Sequence, residues 1–307
     1  TSLVDVTSKS YSDDYNDSKL SGVAGCTPCG SSSLSGGLKA YSLKRVFQSR
    51  RAHKVWEFGL GQSTELDMQL EFVIQDDFTL KAFWDHPGRT FPLMLDDGGN
   101  GDVQDGVFHE QLNQSIIEAQ LLDSTGQLTT DISLANSFLL IDYKRNIYEF
   151  EIFQQNEDYY GRLISKKDLN DYGLSITYHP YSPEELAISP ELVWQKQLIT
   201  DPFGRVTTFE YHPQTIGGAY VISKAVLPNG EAINYEYTDT YLSKVTYPDN
   251  SFSTYSWGVD QYGNTHYHAE TTEGKVKDVY FSSQAALTSR NGSILYNLND
   301  KNFAKLD

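Results

Sequence analysis

Apolar and polar residues alternate along most of the chain from residue 38 onward. In the segment IYEFEIF, Tyr148, Phe150 and Ile152 fall on one side of an extended strand and the intervening glutamates on the other. Similar segments bounded by turn formers predict strands in LKAYSLKRVF, ELDMQLEFVI, TLKAFW, SIIEAQLLD and SFLLIDY. Long amphipathic helical patterns are absent, and YSPEELAISPELVWQ predicts only a short helix bracketed by Pro183 and Pro190. The chain is therefore predicted to be all-β.

A second pattern relates turns to aromatic residues in the C-terminal half. Gly204, Gly230 and Asn250 each lie in a turn-like segment and are followed by aromatic residues at offsets five and seven, whereas Gly173 is followed by one at offset five. In chain order these aromatics are Tyr178, Phe209, Tyr211, Tyr235, Tyr237, Tyr255 and Trp257. An offset of two puts both aromatics of a unit on one face of a strand. Each unit is therefore predicted to be a β-hairpin whose Gly or Asn makes the turn.

Hairpins that cannot bury an aromatic face alone are expected to stack against one another. We predict that residues 159–257 form consecutive antiparallel hairpins in one continuous twisted sheet. Equivalent aromatics would then lie side by side and form the core of the repeats.

The segments ITDPFGRVTTFEY, VTYPDNSFSTYSW and GRLISKKDLNDYGLSITY resemble the tyrosine-aspartate (YD) repeats of rearrangement-hotspot (Rhs) and teneurin-like proteins. The resemblance covers about residues 142 to 257. WEFGLGQSTELDMQLEF is similar to the entry of the β-rich domain that precedes such repeats in bacterial surface proteins. The resemblance implies a spiralling β-sheet, which in some members forms a shell around a toxin. This chain departs from those toxin carriers because it has too few repeats to close a shell and no C-terminal self-cleavage motif.

These patterns divide the chain into a Ser/Gly-rich tail (1–37), an N-terminal β domain (38–155) and a YD-repeat region (156–307). The tail lacks apolar periodicity, so it can be ordered only by lying against another surface. A strand added to an open sheet edge gains backbone hydrogen bonds without needing an apolar sequence. We expect the tail to dock in this way, with a sheet of a neighbouring copy as the favoured partner.

Charge and composition limit the partners. The chain has 24 Lys and Arg against 41 Asp and Glu, a formal net charge of −17. This excess argues against a nucleic-acid-binding surface, which needs a basic stripe. The sequence contains no run of about 18 apolar residues, so it does not predict a membrane-spanning helix. The first residue is Thr and no leader follows, so we expect either a removed signal peptide or a fragment, and a secreted or cell-surface protein.

The two cysteines, Cys26 and Cys29, lie in GCTPCG. In an exported chain a local disulfide is the favoured prediction, with free thiols as the alternative. A haem attachment site would need His after the second cysteine, and a zinc site would need a second ligand pair.

The loop DDGGNGDVQDG contains clustered oxygen ligands that suit calcium, and its candidate ligands are Asp96, Asp97, Asn100, Asp102 and Asp105. It lacks EF-hand spacing, since the twelfth position counted from Asp96 is Val107. The favoured interpretation is a solvated acidic hairpin loop, and a calcium site is the alternative. No other cofactor is predicted.

The remaining polar clusters give little support to catalysis. His266, His268 and Glu270 share one strand face, which suits either a metal ion or a polar sheet surface. Asp85 and His86 adjoin one another, but no nucleophile motif accompanies them. His179 and His212 both follow a repeat tyrosine, which favours a role in ending a strand.

The sequence therefore predicts a non-enzymatic structural protein of YD-repeat type that assembles with copies of itself, in filaments if the contact does not close. Two alternatives stay open. Exposed tyrosines and tryptophans would suit a module that binds cell-surface glycans. A fragment of a toxin-enclosing shell is the other.

Overall fold

The structure is a computed structural model, and strands account for most of the residues that it describes. It describes residues 2–5, 10–16, 43–48, 54–74, 80–86, 89–95, 106–110, 116–259, 265–274, 276–281 and 286–289. These residues fall into two compact units. Unit 1 comprises the described residues up to Thr64 and from Thr207 onward, and unit 2 runs from Glu65 to Val206. The prediction of an all-β fold is confirmed.

In its described residues, unit 2 contains ten strands in antiparallel succession. They are β7 (Gln69–Ile74), β8 (Leu80–His86), β9 (Arg89–Leu95), β10 (Val107–Glu110), β11 (Ile116–Asp123), β12 (Ala135–Asp142), β13 (Ile147–Gln155), β14 (Asp158–Lys167), β15 (Gly173–Tyr178) and β16 (Lys196–Thr200). β7 pairs with β14 as well as with β8, which closes the succession from β7 to β14 on itself. Closure removes two exposed sheet edges.

The core of unit 2 lies on the inner face of these strands. Alternate residues on β7, β8 and β12 are buried, among them Leu70, Trp84 and Phe138. Gly161 lets β14 approach β7 closely, because a Cβ at this position would lie 3.0 Å from the Leu70 side chain. The predicted boundary after residue 155 falls inside a tight hairpin, since Gln155 pairs with Asp158.

Two short helices interrupt unit 2 between β15 and β16. Helix α1 (Pro183–Ile188) begins with a capping box, in which the Ser182 hydroxyl accepts from the Glu185 N–H and the Glu185 carboxylate accepts from the Ser182 N–H. A 3-10 helix (Pro190–Trp194) follows. The short helical segment was expected from the two prolines. A further 3-10 turn spans Ile132–Leu134.

Unit 1 contains the last repeats. Its strands are β1 (Ser2–Asp5), β2 (Ser10–Asn16), β3 (Lys44–Gln48), β4 (Val55–Trp56), β5 (Gly59–Leu60), β6 (Gln62–Thr64), β17 (Val206–Tyr211), β18 (Ile222–Val226), β19 (Ala232–Thr238), β20 (Tyr241–Thr246), β21 (Phe252–Val259), β22 (Thr265–Thr271), β23 (Val276–Phe281) and β24 (Ala286–Ser289). β17 to β24 pair in chain order, all antiparallel. Consecutive hairpins are thus present within each unit, as the repeat pattern predicted.

The segment around β4 and β5 packs on the repeat strands of unit 1. The Ile222 N–H donates to the Glu57 carbonyl at 2.7 Å, and the Leu60 N–H donates to the Thr240 carbonyl at 2.8 Å. Phe58 is fully buried, with its ring centroid 4.8 Å from that of Tyr235. Aromatic residues of the repeats are therefore covered by an earlier part of the chain.

The described strands of the N-terminal tail pair within their own chain. β2 pairs with β3 over five residues, from Ser12 opposite Gln48 to Asn16 opposite Lys44, and β1 pairs with β2. The described part of the tail thus adds strands to a sheet edge of its own chain, and docking on a neighbouring copy stays a prediction. Among the described residues, no helix is long and apolar enough to cross a membrane.

Candidate functional site

Among the described residues, six five-residue turns share one backbone geometry and connect neighbouring strands. In each, the N–H of position 1 donates to the carbonyl of position 5, and the N–H of position 4 donates to the carbonyl of position 1, at 2.8 to 3.1 Å. Position 4 has a positive φ in each turn. This is a type I turn followed by a left-handed residue, a common three-residue hairpin loop. The turns are 123–127, 142–146, 168–172, 201–205, 227–231 and 247–251.

The structure places three predicted turn residues at position 4 and corrects the fourth. Gly204, Gly230 and Asn250 have φ of 74°, 83° and 62°. Gly173 is instead the first residue of β15, and position 4 of its turn is Asp171, with φ of 65°. Aspartate tolerates the left-handed region better than most residues. Gly173 is required for close approach, since a Cβ there would lie 2.0 Å from the Lys166 carbonyl oxygen.

An aspartate at position 1 holds four of the turns together. The Asp201 carboxylate accepts from the backbone N–H of Phe203 at 2.9 Å and of Arg205 at 3.0 Å. Aspartates begin three other turns and make bonds of the same kind, namely Asp123, Asp142 and Asp168. The two remaining turns have Pro at position 2, and a side-chain oxygen at position 3, from Asn229 or Asp249, accepts from the N–H of position 5. The aspartate of the repeat is therefore a turn cap.

Asp201 is the most buried of these caps and is also paired with a cation. Arg205 donates to its Oδ2 from Nε at 2.8 Å and from Nη2 at 2.7 Å. Burial acts to raise the pKa of the Asp201 carboxyl, but the hydrogen bonds from Arg205 and Phe203 outweigh it and hold that pKa below its usual value. The Asp201 carboxylate thus accepts its hydrogen bonds from residues of its own turn.

Counting from the left-handed residue, offsets five and seven divide into a buried and a half-buried set. For the five turns from 142–146 onward the offset-five residues are at most 5 % exposed, whereas the residue at this offset from Gly126 is the exposed Asp131. The five buried residues are Phe150, Ile176, Phe209, Tyr235 and Tyr255. The offset-seven residues are half-buried, and they are Ile152, Tyr178, Tyr211, Tyr237 and Trp257. Alignment on Asp171 rather than Gly173 brings Ile176 and Tyr178 into this scheme.

A recurring β-bulge follows the offset-five residue. Glu210 pairs with Lys224 but Tyr211 pairs with Ile222, so Ser223 is the extra residue. Ser243 is the extra residue in the next hairpin. Each bulge serine donates its hydroxyl to a glutamate carbonyl across the ladder, Ser223 to that of Glu210 at 3.1 Å. The bulge increases local strand twist and puts residues three apart, such as Ile222 and Ala225, on the same buried face.

Two half-buried tyrosines make equivalent hydrogen bonds to the preceding strand. The Tyr178 hydroxyl donates to the Leu163 carbonyl at 3.0 Å, and the Tyr237 hydroxyl donates to the Ile222 carbonyl at 2.7 Å. In both cases the acceptor lies 15 residues earlier in the chain. These hydroxyls fix neighbouring strands in register, so the two tyrosines stabilise the sheet.

The expected side-by-side packing of equivalent aromatics is corrected. Equivalent positions on β17, β19 and β21 are separated by an intervening strand, so their Cα atoms are about 9.5 Å apart. Small or aliphatic residues fill the gap, since Phe209 pairs with Ala225 and Tyr235 pairs with Val245. The rings instead meet other segments, as when the Trp257 ring centroid lies 4.7 Å from that of Tyr267.

Two buried cations were not foreseen from the sequence. Arg45 on β3 is fully buried and donates to Gln62 Oε1 at 2.6 Å and to the Tyr255 hydroxyl at 2.8 Å. Lys196 on β16 is 2 % exposed, and its Nζ lies 3.7 Å from Asp67 Oδ1. Lys196 occupies the place in its bulged strand that aliphatic residues hold in β18 and β20. A cation at a position where the other repeats have an aliphatic residue was the sequence signal that could have revealed Lys196.

The predicted metal and catalytic residues do not converge in the described part of the chain. No group of three or more His, Cys, Asp or Glu side chains suited to a metal ion occurs there. His268 and Glu270 approach to 4.0 Å, whereas the side chains of His266 and His86 lie outside the description. Burial lowers the pKa of His179. The candidate calcium ligands Asp96, Asp97, Asn100, Asp102 and Asp105 and the candidate disulfide Cys26–Cys29 also lie outside the described residues.

A half-buried aromatic group in unit 2 holds the 3-10 helix on the sheet. The Trp194 ring lies 5.2 Å from Phe153 and 6.2 Å from Tyr160, edge to face in both cases. Arg162 donates to the Val193 carbonyl and to Glu151, and its guanidinium lies 4.2 Å from the Tyr178 ring centroid. These ring faces are occupied by one another, which leaves this group poorly suited to stack on a sugar.

No family model matches the sequence, and no curated protein matches it.

Proposed function

We propose that the chain is a non-enzymatic structural protein of the secreted or cell-surface kind, built from hairpins of YD-repeat type. The observation that carries the proposal is the burial, at 5 % exposure or less, of the offset-five side chains that follow the five turns from 142–146 to 247–251. A repeated aromatic that is used as core stabilises a scaffold, whereas a repeated binding platform needs its rings exposed.

The arrangement of carboxylates supports the same proposal. The aspartates of the repeats are bonded to backbone N–H groups within their turns, as Asp168 and Asp201 are. Carboxylates in catalysis need a free face toward a substrate and a pKa suited to proton transfer. The pKa of Asp201 is displaced downward, away from that range.

Assembly with further copies is the second part of the proposal. The contact of the N-terminal strands with β3 is a ladder of backbone pairs from Ser12 to Asn16. Backbone groups of β3 in a second copy offer the same partners, so the β1–β2 hairpin can be exchanged between molecules. Exchange in an open, head-to-tail manner would produce filaments.

The experiment compares full-length protein with a deletion of residues 1–25 by sedimentation velocity and negative-stain electron microscopy. We expect the full-length protein to form concentration-dependent oligomers and the deletion to remain a folded monomer. Ser12→Pro with Asp14→Pro is a matched variant of unchanged length, because proline removes the N–H groups that a ladder needs. Monomeric full-length protein at all concentrations would refute the assembly, as would unchanged oligomers in both variants.

A further inference from the structure

One ion pair of unit 2 has both of its side chains removed from water. Lys196 is the first residue of β16, and Asp67 precedes β7. Their side chains are 3 % and 8 % exposed, and Lys196 Nζ lies 3.7 Å from Asp67 Oδ1. The cation is 35–37 % exposed in three other ion pairs, which are Arg205–Asp201, Lys224–Glu210 and Lys244–Glu236. The Lys196–Asp67 pair thus has an environment that those three pairs lack.

A β-bulge in β16 turns Lys196 toward the core. Thr177 pairs with Leu198 but Tyr178 pairs with Lys196, so Gln197 is the extra residue. Lys196 and Ile199, three residues apart, are consequently both buried, as are the equivalent residues of β18 and β20. An aliphatic side chain gains free energy from burial at this position, whereas an ammonium group loses its hydration. The fold therefore favours an uncharged side chain where this lysine stands.

Asp67 lies among residues of the unit 2 core. Its chain neighbours Leu66 and Met68 are buried, and so is Leu70 on β7. Burying two charges is costly unless a close hydrogen-bonded contact offsets their lost hydration. The separation of 3.7 Å between Lys196 Nζ and Asp67 Oδ1 exceeds the limit of about 3.2 Å for an N–H···O hydrogen bond. The contact between these two atoms is therefore a weak offset for the burial of their charges.

The same geometry suits a condensation between the two side chains. Well-oriented groups within one molecule react as if their concentration were on the order of 10⁵–10⁸ M, and reacting atoms in such arrangements are about 3–3.5 Å apart. Asp67 Cγ is bonded to Oδ1, so a small rotation of either side chain brings Cγ within that distance of Lys196 Nζ. Exclusion of water from the pair protects the product from hydrolysis.

We propose that Lys196 and Asp67 form an intramolecular isopeptide bond in the folded protein. A proton passes from the Lys196 ammonium group to the Asp67 carboxylate, which gives a neutral amine and a neutral acid. Nζ attacks Cγ and the C–N bond forms. A second Nζ proton passes to the departing oxygen, and the C–O bond breaks with release of one water molecule. One buried amide replaces two buried charges, and the reaction consumes no co-reactant.

The bond links the segment before β7 to β16 and encloses the chain between residues 67 and 196 in a covalent loop. Such a loop restricts the unfolded state, as a disulfide does. The inference concerns unit 2 alone and does not depend on the proposed assembly with further copies.

The test is the intact mass of the denatured protein in electrospray mass spectrometry. We expect protein that has folded to be lighter than its sequence mass by one water molecule. Protein isolated from inclusion bodies in urea should have the full mass and lose water only after refolding. Because trypsin does not cleave after an amidated lysine, residues 55–81 should be recovered joined to residues 168–205.

Substitutions of Lys196 identify the reacting side chain. Lys196→Arg keeps the charge and should have its full sequence mass. Lys196→Met provides a second variant, since the other repeats accommodate aliphatic side chains at this position. Lys224→Arg is the matched control, because Lys224 belongs to an exposed pair with Glu210 at 2.7 Å and its replacement should leave the loss of water unchanged.

Two results would overturn the proposal. The first is folded wild-type protein whose mass equals the sequence mass, which would leave Lys196 and Asp67 as an ion pair. The second is a loss of water that persists in Lys196→Arg and Lys196→Met, which would place the dehydration elsewhere in the chain. Neither result requires a variant to be more stable than the wild type, and neither bears on the oligomers measured by sedimentation velocity.

Discussion

Replacing Tyr235 by alanine tests whether the repeat aromatics are core. The side chain is 4 % exposed, its ring lies 4.8 Å from that of Phe58, and Val245 is opposite it on β20. Removing about 150 Å² of buried surface at about 25 cal/mol per Å² gives a loss near 4 kcal/mol. Large-to-small changes at buried aromatic positions give the same range, about 3–5 kcal/mol.

Equilibrium unfolding in urea measures this loss, with hydrogen exchange of β19 and β20 reporting on unit 1 itself. Glu236→Ala is the matched control on the opposite face of β19. Its carboxylate is 58 % exposed and lies 3.0 Å from Lys244 Nζ, a pair worth less than about 1 kcal/mol. A loss below about 1 kcal/mol for Tyr235→Ala would mean that this face is not core, and the scaffold argument would fail.

Four further substitutions probe the turns and a buried cation. Asp201→Asn should destabilise the protein near neutral pH. Because the folded pKa of Asp201 is below its unfolded value of about 3.9, the difference in unfolding free energy between variant and wild type should shrink as pH falls below about 4. An unfolding free-energy difference that stays constant in urea titrations from pH 7 to pH 3 would contradict this. Gly230→Ala should cost about 1–2 kcal/mol by thermal unfolding, solely through its φ of 83°, whereas Asn250→Gly should cost nothing; equal effects would count against the shared turn geometry. Arg45→Lys retains the charge but not the planar pair of donors to Gln62 and Tyr255, so we expect the free energy of unfolding in urea to fall by about 2 kcal/mol. An unchanged free energy of unfolding would mean that those bonds are unimportant.

The sequence was informative where local chemistry decides the structure. Alternation predicted the strands, and Gly204, Gly230 and Asn250 marked their turns because few residues adopt positive φ without strain. Alignment on Gly173 was wrong because this glycine permits close backbone approach rather than a positive φ. The left-handed position of the turn beside it is occupied by Asp171. A single glycine does not reveal which of these two requirements it meets.

Features that depend on distant segments were beyond sequence reasoning. Nothing in KRVF indicates that Arg45 meets Tyr255, 210 residues later. The ring partners of the repeat aromatics were missed for a related reason, because strand order puts an aliphatic strand between equivalent positions. Exposure of Tyr143 and Phe203 likewise follows from which turn positions face outward, which the aromatic count does not reveal.

The recurring bulge constrains how such a chain can tolerate insertions and deletions. Loss of the single residue Ser223 would restore strict alternation in β18 and leave Ile222 and Ala225, then two residues apart, on the buried face. Loss of Thr208 from β17 would instead make the buried Thr207 and Phe209 neighbours and turn one of them to solvent. The stretch from His212 to Tyr220, between β17 and β18, has no ladder of this kind to maintain and can change length at little energetic cost. Length variation among molecules built on this plan should therefore concentrate in the loops opposite the five-residue turns and at the bulge residue, and the spacing from each turn to its offset-five residue should stay fixed.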